Sequence, residues 1–197
     1  KPEARVLGTR MLTNAANAAL VNGMCAHADE TDDVHPPTRT HPGATVVPAA
    51  LAVAERQGLS GKMLLRAVVL GYDICARVLL ALRPIPLFLR GHHACCFGGV
   101  FGATAAAAAL LGLDARQMRH ALSYTSQHAS GTYTLLRDTL HVEKAYGVGG
   151  MPACQALPRW KPPLRRWISF REFTRLPRRI NFAELVAGGF VCIGDSM

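Results

Sequence analysis

Apolar residues recur at helical spacing along most of the first 150 residues, whereas alternation of polar and apolar residues is hard to find. Helices are predicted over 11–28, 44–57, 59–82, 97–113 and 114–126. Gly58 is suited to end the second of these helices, and Ser60 to cap the third. We find no internal repeat, and the pattern predicts a mainly α fold.

Two segments that contain proline interrupt this helical pattern. Three prolines forbid a continuous helix in the first segment, 29–43, and the second, 83–93, is predicted to be a loop that ends in His92 and His93. The helix that follows the second loop is rich in glycine and alanine. Because its side chains are small, we expect its backbone to pack closely against its neighbours.

The composition and charge of the sequence change after Ala153. Residues 1–153 carry 14 Lys and Arg against 10 Asp and Glu, a balance of +4, whereas 154–197 carry 8 against 3, a balance of +5. We therefore predict a helical domain over 1–153 and a divergent basic tail over 154–197. The tail has no interleaved aromatic stripe, so no nucleic-acid partner is expected. No apolar run is long enough to span a membrane, and no membrane partner is expected.

Six cysteines occur without any CxxC pair, and Cys95 and Cys96 are adjacent. This spacing suits neither a zinc site nor a disulfide framework. We expect buried free thiols and a cytoplasmic protein.

The stretch His27 to Gly43 gathers four carboxylates and three imidazoles in seventeen positions. Like charges so close raise one another's pKa, and a carboxylate beside a histidine suits general acid–base catalysis. His35 and His41 flank a proline-rich turn, so both rings can point inward. A solvated acidic loop, with some of its charges capping the next helix, remains the alternative. The spacing fits neither an EF-hand nor HExxH, so no metal is expected.

Two further candidates lie later in the chain. One of the pair His92 and His93 could face a pocket at the start of the small-residue helix, where backbone N–H groups favour an anion. Lys144 could bind a carboxylate, and it would share a helix face with His141. The alternatives are an exposed histidine pair and a surface lysine paired with Glu143.

Several motifs, in this order, resemble the MmgE/PrpD family, which is named for 2-methylcitrate dehydratase. They are NGMCAHADETDD (22–33), THPGATVVPAALAVAE (40–55), SGKMLLRAVVLGYDICAR (60–77), GHHACCFGGVFGATAAAAALLGLD (91–114), ALSYTSQHASG (121–131) and HVEKAYGVGGMPA (141–153). The resemblance implies a helical domain interrupted by an α+β lid domain, usually in a homodimer. It also implies metal-free chemistry on small di- and tricarboxylates: dehydration, decarboxylation or epimerisation.

The resemblance assigns individual residues. Glu30 takes the place of the first acidic residue of the HxxDxDD-like motif, His41 is the histidine of HPG, and His93 precedes the small-residue helix. Lys144 matches the site lysine with a one-residue gap. Val34 replaces a threonine, so one hydrogen-bonding group is lost. We predict catalytic roles for Glu30, His41 and His93. Substrate-binding roles are predicted for Lys144, His92 and His35, with no metal and no other cofactor.

The chain departs from the family pattern after Ala153, where it reads CQALPRWKPPLRRWISF. We hypothesise that the tail is translated out of frame, which sequencing the gene would test. Family members are more than twice as long, so we expect that the lid domain is absent. The two functions that remain open are a lyase- or isomerase-like enzyme and a truncated, inactive helical fragment of one.

Overall fold

Helices dominate the computed structural model of this protein, which describes residues 2–133 and 144–157. The helices are α1 Ala15–His27, α2 Pro42–Gln57, α3 Gly61–Leu82, α4 Pro84–Leu89, α5 Ala94–Leu110, α6 Ala115–Ser126 and, after the π-helical turn Ala145–Gly150, α7 Met151–Gln155. Strands β1 Ala4–Arg5 and β2 Leu12–Thr13 pair antiparallel near the start of the chain. The prediction of a mainly α fold is confirmed.

Local sequence signals fix the ends of several helices. The Ser60 hydroxyl accepts a hydrogen bond from the backbone N–H of Met63 at 3.4 Å and caps α3. Asp114 and Gln117 form a capping box at the start of α6. Gly58 ends α2 with φ of 62°, in the left-handed region that glycine adopts without steric cost. These ends agree with the sequence-based boundaries.

Helix α5 runs through the middle of the fold and is almost entirely buried. Its most extensive contacts are with α2, α3 and α6. At its closest approach to α3, a Cβ atom on Gly102 would lie 2.5 Å from the carbonyl oxygen of Gly71. Val46 and Val53 of α2 complete the buried core beside it. The expected close packing of a small-residue helix is confirmed.

Two local predictions are wrong. The segment 83–93 contains the helix α4, because Pro84 and Pro86 occupy its first turn, where backbone N–H groups have no partner within the helix. The first predicted helix begins at Ala15 and not at residue 11, because Leu12–Thr13 pairs with β1.

The cysteines are only partly as expected. Cys75, Cys95 and Cys96 are buried free thiols, which confirms the prediction for them, whereas Cys25 is exposed. Cys25 lies near the end of α1, on a side that no other described helix covers closely enough to bury it.

The predicted boundary at Ala153 falls within α7, and the chain is described as far as Leu157. Residues 158–197 lie outside the described part, so the basic tail and its reading frame stay predictions. None of the described helices combines the length and the apolar character that crossing a membrane requires.

Candidate active site

The candidate site is built from the ends of helices that are distant in sequence. His27 is the last residue of α1, His41 directly precedes α2, His93 directly precedes α5, and Lys144 directly precedes the π-helical turn. His41 is kept out of the helix by Pro42, because a residue before proline disfavours helical angles. The fold therefore presents these side chains at helix ends, where backbone groups remain free to interact with a ligand.

Glu30 and Lys144 form an ion pair across 114 positions of sequence, with Nζ 2.7 Å from Oε1. Their side chains are 41% and 22% exposed, so solvent reaches both. Glu30 has φ of 50°, an uncommon backbone conformation for a residue other than glycine. Such conformations persist where the surrounding structure enforces them, often at functional sites.

Asp32 lies between two imidazoles. One carboxylate oxygen is 2.9 Å from Nδ1 of His27, and the other is 3.5 Å from Nδ1 of His41. Nδ1 of His41 also donates to the carbonyl oxygen of Asp33 at 2.9 Å. The two ring centroids are 5.1 Å apart. The acidic stretch therefore places two histidines side by side around one carboxylate.

Asp33 has a different partner. Its carboxylate accepts the backbone N–H of Gly43, in the first turn of α2, at 2.9 Å. Burial, followed by the charge of Asp33 and a hydrogen bond to it, raises the pKa of Tyr72 well above its usual range. Glu30, Asp32 and Asp33 thus each meet separate donors, while Asp29 is exposed. The alternative of a solvated loop that caps the next helix is met in part, since Asp33 caps α2 and Asp29 is exposed, whereas Asp32 is nearly buried.

His93 is the most buried of the predicted catalytic residues, at 7% exposure. The pKa of His93 is lowered to about 4, mainly by burial and to a smaller extent by electrostatic interaction with His27, His41 and Lys144. These electrostatic effects identify three neighbours that are distant in sequence. His93 is therefore a neutral imidazole at physiological pH in the absence of a ligand.

The π-helical turn after Lys144 is anchored from two sides. The Thr45 hydroxyl of α2 donates to the carbonyl oxygen of Val148 at 2.9 Å, and the Cys96 thiol of α5 donates to that of Gly147 at 3.0 Å. A π-helical turn changes the carbonyl pairing of an ordinary helix and is frequent at functional sites. The position of Lys144 therefore depends on α2 and α5, which also carry His41 and His93.

The other two predicted binding residues have partners in their own loops. Nδ1 of His35 lies 2.7 Å from the Thr38 hydroxyl, and the His92 ring packs edge-on against Phe97 at a centroid distance of 5.2 Å. Within the described chain, none of these contacts joins them to the group around His41. Their substrate-binding roles stay predictions, and His141 and Glu143 lie outside the described residues.

Sequence inspection missed two members of the group, His27 and Asp32. Both belong to the acidic stretch His27 to Gly43, and His27 lies near the end of the predicted helix 11–28, five residues before Asp32. That spacing alone does not bring the two side chains together. The turn between them does so, because the backbone N–H of Glu30 bonds to the carbonyl oxygen of His27 at 3.3 Å and folds the chain back.

His27, Asp32 and His41 offer donor atoms that all lie within 4.8 Å of one another. Two imidazoles and a carboxylate form a donor set that zinc accepts. Hydrogen bonds already account for the close approach of the same atoms. The expectation of no metal stays a prediction.

A small, mainly apolar pocket lies elsewhere, between α2, α5 and α6. It is lined by Arg56, Thr104, Ala107, Ala108, Leu111, Leu113, Ala121, Ala156 and Leu157. None of the predicted site residues contributes to it. The group around Glu30 and His41 is instead open to solvent, with the His41 side chain 26% exposed.

Residues 1–157 match the family model described as the MmgE/PrpD N-terminal domain. The chain is 35% identical over 136 residues to the cis-aconitate decarboxylase-like protein oryM of Aspergillus oryzae, covering 64% of this chain and 28% of that protein. It is 33% identical over 135 residues to cis-aconitate decarboxylase of Aspergillus terreus, covering 64% of this chain and 27% of the relative. The matched region thus spans a little over a quarter of each relative.

Proposed function

The chain belongs to the MmgE/PrpD family, and on this premise we propose that it acts on a small di- or tricarboxylate by acid–base catalysis, as a lyase or isomerase. The observation that carries this proposal is the convergence of Glu30, His41, His93 and Lys144 from three segments of the chain. Similarity to proteins named cis-aconitate decarboxylase makes cis-aconitate the first substrate to test.

Lys144 is proposed to bind a substrate carboxylate. In the described structure its ammonium group is paired with Glu30, and both side chains are partly exposed. An exposed ion pair of this kind contributes little to stability, about 0–1 kcal/mol, because water and salt screen it. A substrate carboxylate can therefore compete with Glu30 for the ammonium group. Glu30 is then proposed to hold or share a proton.

His41 is proposed to be the proton donor. Its Nδ1 faces Asp32 and the carbonyl oxygen of Asp33, which leaves Nε2 on the opposite side of the ring. In a decarboxylation, the bond between a carbon and its carboxylate breaks and carbon dioxide leaves. The electron pair that remains takes up one proton, which the protonated His41 supplies and solvent restores. A positioned acid of this kind contributes roughly 10²- to 10⁴-fold to the rate.

His93 is proposed to hydrogen-bond the substrate as a neutral imidazole. Burial and the surrounding cations disfavour its charged form. A bound polycarboxylate would add negative charge and raise the pKa of His93, so that substrate binding makes His93 a better proton acceptor. The site thus combines cations that attract an acidic ligand with a buried ring whose protonation depends on that ligand.

The rival is a fragment that keeps this geometry without turnover. What favours it is that the described group is open to solvent at Glu30 and His41. Elements that close over the substrate and exclude water complete many such sites.

The test combines ligand binding with product formation. The melting temperature of the full chain is measured with citrate, 2-methylcitrate, cis-aconitate and an iminodisuccinate-like acid, with acetate as the control ligand. A ligand at 100 times its Kd raises the unfolding free energy by about 2.7 kcal/mol. Carbon dioxide release from cis-aconitate is followed separately. Stabilisation without any turnover supports the inactive fragment, and neither effect with any of these acids contradicts the proposal.

A pair of variants assigns the binding to Lys144. We expect Lys144→Met to abolish ligand stabilisation while changing the unfolding free energy by less than about 1 kcal/mol. The matched control is Arg77→Met, which removes the exposed pair of Arg77 with Asp73, whose atoms are also 2.7 Å apart. That variant should retain ligand stabilisation. Equal ligand responses in Lys144→Met and the parent chain would contradict the assignment.

Other features of the protein stay predictions under this proposal. A homodimer is expected from the family resemblance, and sedimentation of the full chain tests it. A cytoplasmic location is likewise a prediction, which localisation of the tagged full chain would test.

A further inference from the structure

Asp32 has more than one partner although it is nearly buried. Its side chain is 8% exposed, and that of His27 is 5% exposed. A buried carboxylate is costly unless donors surround it. Both oxygens approach Nδ1 of His27, at 2.9 and 3.1 Å, while Nδ1 of His41 lies 3.5 Å from one of them. The carboxylate is therefore hydrogen-bonded mainly to His27. One of its oxygens can also accept a weaker hydrogen bond from His41.

This arrangement fixes which ring nitrogen carries hydrogen. Nδ1 of His41 is close to two acceptors, the Asp32 carboxylate and the Asp33 carbonyl oxygen, so it must be the protonated nitrogen. The same argument applies to Nδ1 of His27. In the neutral rings Nε2 then keeps its lone pair, on the side away from the carboxylate. Neither Nε2 atom has a hydrogen-bond partner within the described residues.

We propose that Asp32 and His27 are positioning residues for His41: Asp32 fixes the tautomer and orientation of the His41 ring, and His27 fixes Asp32. This inference rests on the proposed function, because it presupposes that His41 transfers the proton. Neither residue needs to touch the substrate. Asp32 also stabilises the positive charge that His41 carries before it donates its proton.

The first test is spectroscopic and does not depend on activity. Long-range ¹H–¹⁵N spectra of the full chain labelled at histidine report which ring nitrogen is protonated. Signals are assigned by their loss in His27→Asn and His41→Asn. We expect both rings, when neutral, to be protonated at Nδ1. Protonation of neutral His41 at Nε2 in the parent chain would overturn the proposal, whatever the protein catalyses.

The second test is kinetic. We expect Asp32→Asn to lower kcat roughly 10²-fold, with KM changed by less than about threefold, because a supporting residue of this kind acts through its partner. Asp29→Asn is the matched control, since Asp29 is an exposed carboxylate of the same segment. It should retain kcat. A rise in KM at constant kcat for Asp32→Asn would overturn the positioning role.

The third test separates positioning from packing at His27. In His27→Asn the amide nitrogen can replace Nδ1 as a donor to Asp32, whereas His27→Leu fills the space without a donor. We expect kcat within about fivefold of the parent for the first variant and a loss of at least roughly 30-fold for the second. Equal losses in two folded variants would show that His27 only fills space.

A zinc titration followed by calorimetry completes the series. Three results together would make Nδ1 of His27 and His41 metal ligands and not hydrogen-bond donors. Zinc would bind the parent chain one to one, Asp32→Asn would not bind it, and activity removed by a chelator would return only with zinc. Those results would overturn the proposal. We expect activity to be insensitive to the chelator.

Discussion

At the scale of single residues, the burial of His93 has the clearest physical consequence. A histidine that is 7% exposed and lies near three groups that can be cationic pays a desolvation cost whenever it is protonated. The neutral ring does not repel Lys144. Under the proposed function, an anionic ligand would relieve this cost when it binds.

The same burial predicts how stability depends on pH. His93 has a pKa of about 4 in the folded chain and the ordinary value of 6.5 when unfolded. Between these values the unfolded chain binds more protons than the folded chain. The contribution of His93 to the unfolding free energy is therefore fully present above about pH 6.5 and is lost as the pH decreases towards 4. The difference of 2.5 corresponds to about 3 kcal/mol.

Urea unfolding of the parent chain and of His93→Gln at several pH values measures this effect. The substitution removes the titrating group, so we expect a shallower loss of stability below pH 6.5. A change in packing alone would shift the whole curve by a constant amount. Parallel curves for the two proteins would therefore contradict the role of His93 in the pH dependence.

At the scale of elements, a close contact between two glycine residues joins two parts of the site. Gly23 of α1 faces Gly149 of the π-helical turn so closely that a Cβ atom on Gly23 would lie 2.6 Å from the carbonyl oxygen of Gly149. This contact joins the helix that ends at His27 to the turn that begins after Lys144. The distance between those two site residues is therefore set by a pair of glycines.

Gly23→Ala is expected to lower the unfolding free energy by about 1–3 kcal/mol, because the new methyl group meets backbone that cannot move away cheaply. We also expect weaker ligand stabilisation, since the turn that positions Lys144 must shift. Urea denaturation with and without cis-aconitate measures both effects.

The control is Gly61→Ala, at the first residue of α3. No atom lies within 4 Å of a Cβ built there, and alanine is the better helix former. This variant should be as stable as the parent or slightly more stable. If Gly23→Ala behaved like it, the close contact between α1 and the turn would not exist in solution.

At the scale of the whole molecule, three buried thiols report on whether the domain is folded. Burial raises the pKa of Cys75, Cys95 and Cys96 to about 12. At pH 8 only about one in 10⁴ of such thiols is ionised, and the thiolate is the reactive form. Cys95 and Cys96 also donate to the carbonyl oxygens of Arg39 and Gly147.

We expect iodoacetamide at pH 8 to modify exposed Cys25 while these three thiols resist in the native chain. In urea all six cysteines of the sequence should react. Peptide mass spectrometry measures the extent at each position. Native modification of Cys95 or Cys96 at the rate of Cys25 would contradict the described packing of α5.

Most helix positions followed from local patterns. Ser60, Asp114 and Gly58 mark helix ends, because the hydrogen bonds of a cap involve only a few neighbouring residues. The small side chains of α5 likewise predict its close packing. The helix after Arg83 was not predicted, because prolines break a helix only beyond its first turn. The pairing of β2 with β1 was also missed, because two-residue strands leave no periodic pattern.

By itself the sequence determined the mainly α fold, the family and the residue types of the candidate site. Helical periodicity, caps and motifs can be recognised within short segments of the sequence. Only the tertiary structure decided that Glu30 pairs with Lys144 and that Asp32 is shared by His27 and His41. Such contacts depend on how α1, α2, α5 and the π-helical turn pack, and packing depends on side-chain volumes and backbone approach across the whole domain. No local pattern carries that information.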